Sequence, residues 1–309
     1  MPPTRSQHRF LFTLVPLLPL SLVLAGCGDD TAALPEPSTL ATGQSAPHAL
    51  FADVDGLYWA TGDGAVRMLE HGQSEPRTLG VDQGEVVSLA ADETRVFWML
   101  GGERGAMRHA NKGGGHEPIE VVDGLATPRG VGIDDNCVFW VTADAVMAIW
   151  KEGGELITVA SDRQAPADVE VDFTGIYWSD AAEGGSIWKV EVEGDAPTLV
   201  TRAKGAKRIA LGPEDVFWTT DDGVVGRARK DGSEVQALSG TEEGLGALAA
   251  SGTDAYWVAD AGAQVRAFDA VGAAHTLAEA QAGAADIAVD DGAVYWANAG
   301  DGSLRSTPR

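Results

Sequence analysis

The sequence predicts an all-β fold of seven repeated units, and three regularities carry that prediction. An aromatic pair recurs every 38 to 42 residues, at Tyr58-Trp59, Phe97-Trp98, Phe139-Trp140, Tyr177-Trp178, Phe217-Trp218, Tyr256-Trp257 and Tyr295-Trp296. Seven of the nine tryptophans sit at this register and all four tyrosines fall just before it, so the period outranks local propensity. Within each unit, four short strand-like runs are separated by turns rich in Gly, Asp and Pro; in the fifth they are 197–200, 208–211, 215–219 and 225–229. No window sustains a helical period, so almost no helix is expected. Four short strands repeated at about forty residues are the signature of a β-propeller, here seven-bladed with four-stranded blades.

Ahead of the repeats, residues 1–26 read as a secretion signal. Arg5, His8 and Arg9 lead into the apolar run 10–24 with no acidic residue, the polarity of an export signal. The run is 15 residues long and interrupted by Pro16 and Pro19, short of the ~18 apolar residues that a membrane span needs, so it is expected to be cleaved. Leu24-Ala25-Gly26-Cys27 resembles the lipobox of bacterial lipoproteins. That resemblance implies that Cys27 is acylated and becomes the mature N-terminus, anchored by lipid alone at ~0.8 kcal/mol per buried methylene. With Gly28 rather than Asp after Cys27, it also implies the outer membrane, on its periplasmic or surface face. Residues 27–35 lack periodicity and read as a tether, and residues 36–309 as the propeller.

The closure of the ring is legible too. The seventh unit supplies three strands, at 286–289, 293–297 and 303–305. The segment Glu36-Pro37-Ser38-Thr39-Leu40 has the same cast as Glu75-Pro76-Arg77-Thr78-Leu79, Ala196-Pro197-Thr198-Leu199 and Ala274-His275-Thr276-Leu277. Those are outer strands, so the N-terminal segment is expected to complete the last blade and remove an exposed edge. Blades crowd near the axis, so inner strands need small residues. Eight positions before each motif Trp stand Phe51, Ala90, Gly132, Glu170, Ala210, Ala249 and Ala288, five of seven being Ala or Gly. Farther out the gap widens, and Trp on one face with Tyr or Phe on the other is expected to fill it as core.

Inner strands such as Ile287-Ala288-Val289-Asp290, the Tyr-Trp pairs, and glycine-led third strands such as Gly185-Ser186-Ile187 make the units similar to YWTD and NHL type β-propellers over residues 36–309. The full tetrapeptide form is kept at Tyr177-Trp178-Ser179-Asp180, and Tyr295-Trp296-Ala297-Asn298 is close to it. The resemblance implies architecture. It names no substrate.

Composition narrows the partners. Removing the signal leaves 20 basic against 46 acidic residues, a net charge of −26, which repels nucleic acid and anionic lipid surfaces. The acidic residues are scattered through turns, as solubility requires. Of two cysteines, Cys27 is assigned to the lipid and Cys137 lies in an apolar strand pattern, so it reads as a small buried hydrophobe rather than a reactive thiol. No disulfide within one chain follows.

No nucleophile elbow, P-loop, dinucleotide fingerprint or metal-binding His pair is present, and no catalytic residue is assigned. Propellers assemble sites from different blades around the channel, so the residues entering the inner strands are the candidates: His48, Glu85, Arg129, Asp168, Lys207, Arg208 and Asp286. These differ from blade to blade, and the plainer reading is solvated loop charge. Glu170 replaces a small inner-strand residue and needs water, a partner or a cation. Asp53, Asp92, Asp134, Asp172 and Asp290 stand six before their Trp and read as turn initiators rather than metal ligands. Trp150 and Trp188 read as equivalent places in adjacent third strands, a candidate partner patch or a local packing variant. Together these point to a monomeric, nonenzymatic binding scaffold for an envelope protein or glycan. The alternative is a propeller-type hydrolase or lyase with a divalent cation held by Asp168, Glu170 and Asp286.

Overall fold

The computed structural model describes residues 34, 36–182, 184–191, 196–269 and 272–309. The signal segment, Cys27 and nearly all of the tether lie outside them. Seven sheets of four antiparallel strands form the blades of a β-propeller. Blades 1 to 6 run 48–80, 86–125, 129–160, 166–202, 206–237 and 248–278; the only helical element among the described residues is the single turn Asp260–Gly262. Blade 7 joins Ala284–Val289, Ala293–Asn298 and Ser303–Pro308 to the N-terminal strand Ser38–Ala41. The closing register is Ser38↔Ser306, Thr39↔Arg305 and Ala41↔Leu304.

Sequence unit and blade are offset by one strand. The run 197–200 that begins the fifth unit is the outer strand Thr198–Arg202 of blade 4, and blade 5 ends in the two-residue strand Gln236–Ala237. The same offset makes the N-terminal segment the outer strand of the last blade.

The aromatic pairs are core, as the strand alternation predicts. Tyr58 of blade 1 and Trp98 of blade 2 share one interblade cluster; Phe97 meets Trp140, Phe139 meets Trp178, and so on around the ring to Tyr295 and Trp59 at the seam. Each blade therefore presents Tyr or Phe to the next blade and Trp to the previous one. The motif tryptophans are at most 4% exposed. An aromatic of this size removes 150–250 Å² from water, so seven such clusters are the main cohesive element between blades. Trp59, Trp257 and Trp296 direct their indole N–H to Gln44, Glu242 and Gln281, each fifteen residues upstream.

Close approach explains the small residues. A Cβ on Gly132 would stand 2.6 Å from Val171 Cγ2 of the next inner strand. In blade 5 the Trp218 ring lies over its strand partner Gly226, where a Cβ would be 2.3 Å from Cε2. At the other motif tryptophans that partner is Arg67, Arg108, Met147, Trp188, Arg266 or Arg305.

Candidate functional site at the channel mouth

The inner strands surround an axial channel of about 630 Å³. Each begins at one face, here the top, and ends at the bottom face in the turn to its second strand. Ten positions before each motif Trp stand Ala49, Ser88, Gly130, Asp168, Arg208, Ala247 and Asp286. Four of these positions are small, and the three charged ones line the channel together with Glu170.

Asp168 and Asp286 do the same work in different blades. Asp168 Oδ1 accepts from its neighbour Val169 N–H at 3.1 Å, while Oδ2 accepts from Ile209 N–H of blade 5 at 3.2 Å. Asp286 accepts from Ile287 N–H at 3.0 Å and from Leu50 N–H of blade 1 at 2.7 Å. Each carboxylate thus ties its blade to the inner strand of the next. Burial pushes both carboxyls above their ordinary 3.8, against the pull of Arg208 and of those backbone donors.

Arg208 faces three acids. Its Nη1 is 4.0 Å from Asp168 Oδ1, and 46% of its side chain is open although protein surrounds it, as befits a group lining a lumen. Asp168, then Asp286 and Glu170, hold its proton more tightly than usual. Glu170 has no hydrogen-bond or ion-pair partner among the described residues. Burial pushes its carboxyl well above the ordinary 4.5, and the negative charge of Asp168 adds to the effect. The neutral form of such an acid is a hydrogen-bond donor.

Arg129 and Lys207 meet Arg208 in a recess of about 190 Å³ at the top mouth, walled by Val87, Gly130 and Ala167. Of the remaining sequence candidates, His48 bridges Ala46 O at 2.9 Å and Val86 O of blade 2 at 3.0 Å; Glu85 lines neither cavity. Cys137 is buried and free, its thiol pushed up by burial and then by Asp134. Among the described residues, no three of His, Cys, Asp and Glu converge as metal ligands would.

The two extra tryptophans are not equivalent, contrary to the sequence expectation. Trp188 pairs with Trp178, but Trp150 pairs with Cys137, and the residue opposite Trp140 is Met147. The hairpin of blade 3 is shorter, so counting ten residues from the motif overshoots its partner. Trp150 is 52% exposed, whereas Trp188 is half-buried, donates to Ser186 Oγ at 2.8 Å and lies under Arg163 at 5.1 Å.

At the bottom face the five turn aspartates behave as expected and do something further. Asp53, Asp92, Asp134 and Asp290 each accept on Oδ1 from the backbone N–H two and three residues on, and Asp172 accepts from Thr174 N–H. In all but Asp134 the other oxygen meets a basic side chain from the next blade. Lys112 Nζ reaches Asp53 at 2.6 Å, Lys151 reaches Asp92 at 3.0 Å, Lys230 bonds Asp172, and His71 reaches Asp290 at 3.1 Å. These four follow directly after third strands, as do Glu191, Asp269 and Arg309. Blade 5 replaces its turn Asp with Gly212, where a Cβ would be 2.3 Å from Gly252 O. Sequence reading misses this set of partners. Unequal hairpin lengths spread it over eleven to fourteen residues after each Trp. A second cavity, of about 570 Å³, lies on this face against His71, Asp290 and Tyr295.

No family model matches the chain, and no curated protein does. Among solved structures it is similar to a streptogramin B lyase, with 14% identity and a TM-score of 0.70 over 89% of this chain and 97% of that one. A selenomethionine-substituted virginiamycin B lyase from Staphylococcus aureus aligns at 13% identity and a TM-score of 0.69, covering 89% and 99%. A chain of a nidogen/laminin complex aligns at 17% identity and a TM-score of 0.58, covering 74% and 92%. At such identities the likeness is one of fold, and that fold hosts enzymes and binding proteins alike.

Proposed function

We propose that this chain is an exported lipoprotein, attached through Cys27 to the outer membrane, whose propeller is a nonenzymatic, monomeric scaffold binding an envelope protein or glycan. One observation supports the scaffold reading above others: most of the ring's aspartates at the two ends of the inner strands are engaged in holding blades together. Asp168 and Asp286 clamp neighbouring inner strands, and four of the five turn aspartates hold a basic side chain of the following blade. Groups with both oxygens engaged are poor nucleophiles or bases, whereas a rigid ring with an open mouth suits recognition.

Two experiments test it. Fatty-acid labelling in cells should mark the wild-type chain and not a Cys27→Ala variant, which should leave the membrane fraction. Crosslinking in whole cells, followed by purification, should retain a distinct envelope component. Turnover of a small substrate with no component retained would overturn the scaffold.

A second reading, a propeller-type hydrolase or lyase using a divalent cation, draws on Glu170. It is a channel carboxyl with no partner among the described residues, beside Asp168 and Arg208. Asp168, Glu170 and Asp286 would have to draw together to hold the ion, since among the described residues no three such groups converge as metal ligands would; the ion would supply Lewis-acid polarisation. Unchanged metal content in an Asp168→Asn, Glu170→Gln, Asp286→Asn triple variant would remove that reading.

A further inference from the structure

We infer that the recess lined by Arg129, Lys207 and Arg208 binds the carboxylate or phosphate end of a small ligand whose remainder extends into the axial channel. This deepens the scaffold reading and rests on it only in treating the channel as a place of binding rather than reaction.

Three observations carry the inference. Arg129 is exposed and makes no hydrogen bond or ion pair among the described residues. Arg208 donates no hydrogen bond from its guanidinium there either, and its nearest carboxylate oxygen is 4.0 Å away. Both side chains line one cavity of about 190 Å³. The planar fork of a guanidinium matches the paired oxygens of a carboxylate or phosphate. Two forks without a protein acceptor among the described residues converge on this one recess, from blades 3 and 5. Lys112, by contrast, holds two aspartates, and Arg229 reaches Glu214 and Glu234.

The surroundings favour an anion. Lys207 is steadied by Asp221 at 2.5 Å, which leaves its remaining donors for a ligand. Asp168, the carboxyl nearest Arg208, already accepts two backbone N–H groups, so it opposes an incoming anion less than a carboxylate without such donors does. Asp286 and Glu85 are the other acids that enter inner strands near this mouth; Asp286 likewise accepts two backbone N–H groups, and Glu85 lines neither cavity. Arg208 lines both the recess and the 630 Å³ channel, so an anion seated against it leaves the rest of the ligand in the larger space. That volume falls in the range of small-molecule sites.

The test is a thermal-melt titration of the purified full-length chain with succinate and with inorganic phosphate, against chloride at matched ionic strength. The expected result is a saturable rise in the melting midpoint with at least one oxyanion. Succinate alone would indicate a carboxylate ligand, and phosphate alone a phosphate ester. Arg129→Ala should weaken the apparent affinity at least tenfold, and Arg208→Lys should weaken it while keeping the charge. Lys204→Ala, an exposed cation outside the recess, should respond as wild type does. No saturable rise with either anion, or an equal rise in Arg129→Ala, would overturn the proposal. Failure here leaves capture of an envelope component as it was, and failure of that capture leaves this titration as it was, so the two readings fail separately.

Discussion

Replacing Asp92 by Asn isolates the charge of one interblade pair from the turn that carries it. The amide oxygen still accepts from Thr94 and Arg95 N–H, which Asp92 Oδ1 engages at 2.9 and 2.8 Å. What disappears is the anion 3.0 Å from Lys151 Nζ, a side chain only 7% exposed. Burial works against ionisation of Asp92, but the Thr94 N–H, Lys151 and the Arg95 N–H outweigh it and hold the carboxyl at about 2 instead of 3.8. That difference corresponds to ~2 kcal/mol at neutral pH, and screening of a partly exposed group reduces it to about 1–2 kcal/mol. For a chain of this size the melting midpoint should fall by roughly 3–6 °C. The sign with pH follows from a depressed acid. Stability from the pair is complete above the unfolded value near 3.8 and lost as pH falls through about 2. Urea melts followed by tryptophan fluorescence at pH 7, 5, 3 and 2 should show a constant gap at the first two, a smaller one at pH 3 and almost none at pH 2. Asp134→Asn is the control, since Asp134 makes the same two turn bonds with no lysine against it among the described residues. A gap undiminished at pH 2, or an equal loss in the control, would refute the assignment to charge.

Glu170→Gln should raise stability at pH 7. The folded state holds that proton above the ordinary 4.5, so stability falls as pH rises from there through the folded value; calorimetry should find the gain vanishing below pH 4.5. Gly226→Ala places a methyl 2.3 Å from the Trp218 ring and should cost about 1–3 kcal/mol by overpacking, with altered tryptophan emission; an unchanged melt would contradict the contact. Removing residues 1–41 opens the edge of Ser303–Pro308 and uncovers Leu304, which is fully buried. Size-exclusion chromatography should then show self-association, and a stable monomer would count against the closing strand.

The ring was legible because its cohesion rests on one repeated pair of side chains at a fixed strand register. Strand alternation sends Trp one way and Tyr or Phe the other, and a wedge demands small residues inside, so period, direction and size agreed. Asp168, Arg208 and Asp286 were legible for the same reason, as charges at a register otherwise held by Ala, Ser or Gly. The partners of the turn aspartates were not. His71, Lys112, Lys151 and Lys230 share a place in space but not a distance in sequence, because the hairpins between second and third strands differ in length. The same irregularity misplaced Trp150 by three residues relative to Trp188. Nor does a sequence show that Arg208 lacks an acceptor, which depends on the separation of groups in different blades.

The strand Ser38–Ala41 finds its partner about 265 residues later in the chain. Closing a loop of that length has a length-dependent entropy of about 5 kcal/mol, recovered only when the seam between blades 7 and 1 zips. Six blades can assemble progressively during synthesis, each on the one before. The circle itself closes late and in one step, so folding speed should be governed at the seam, where slow non-local pairing leaves two strand edges exposed to other molecules.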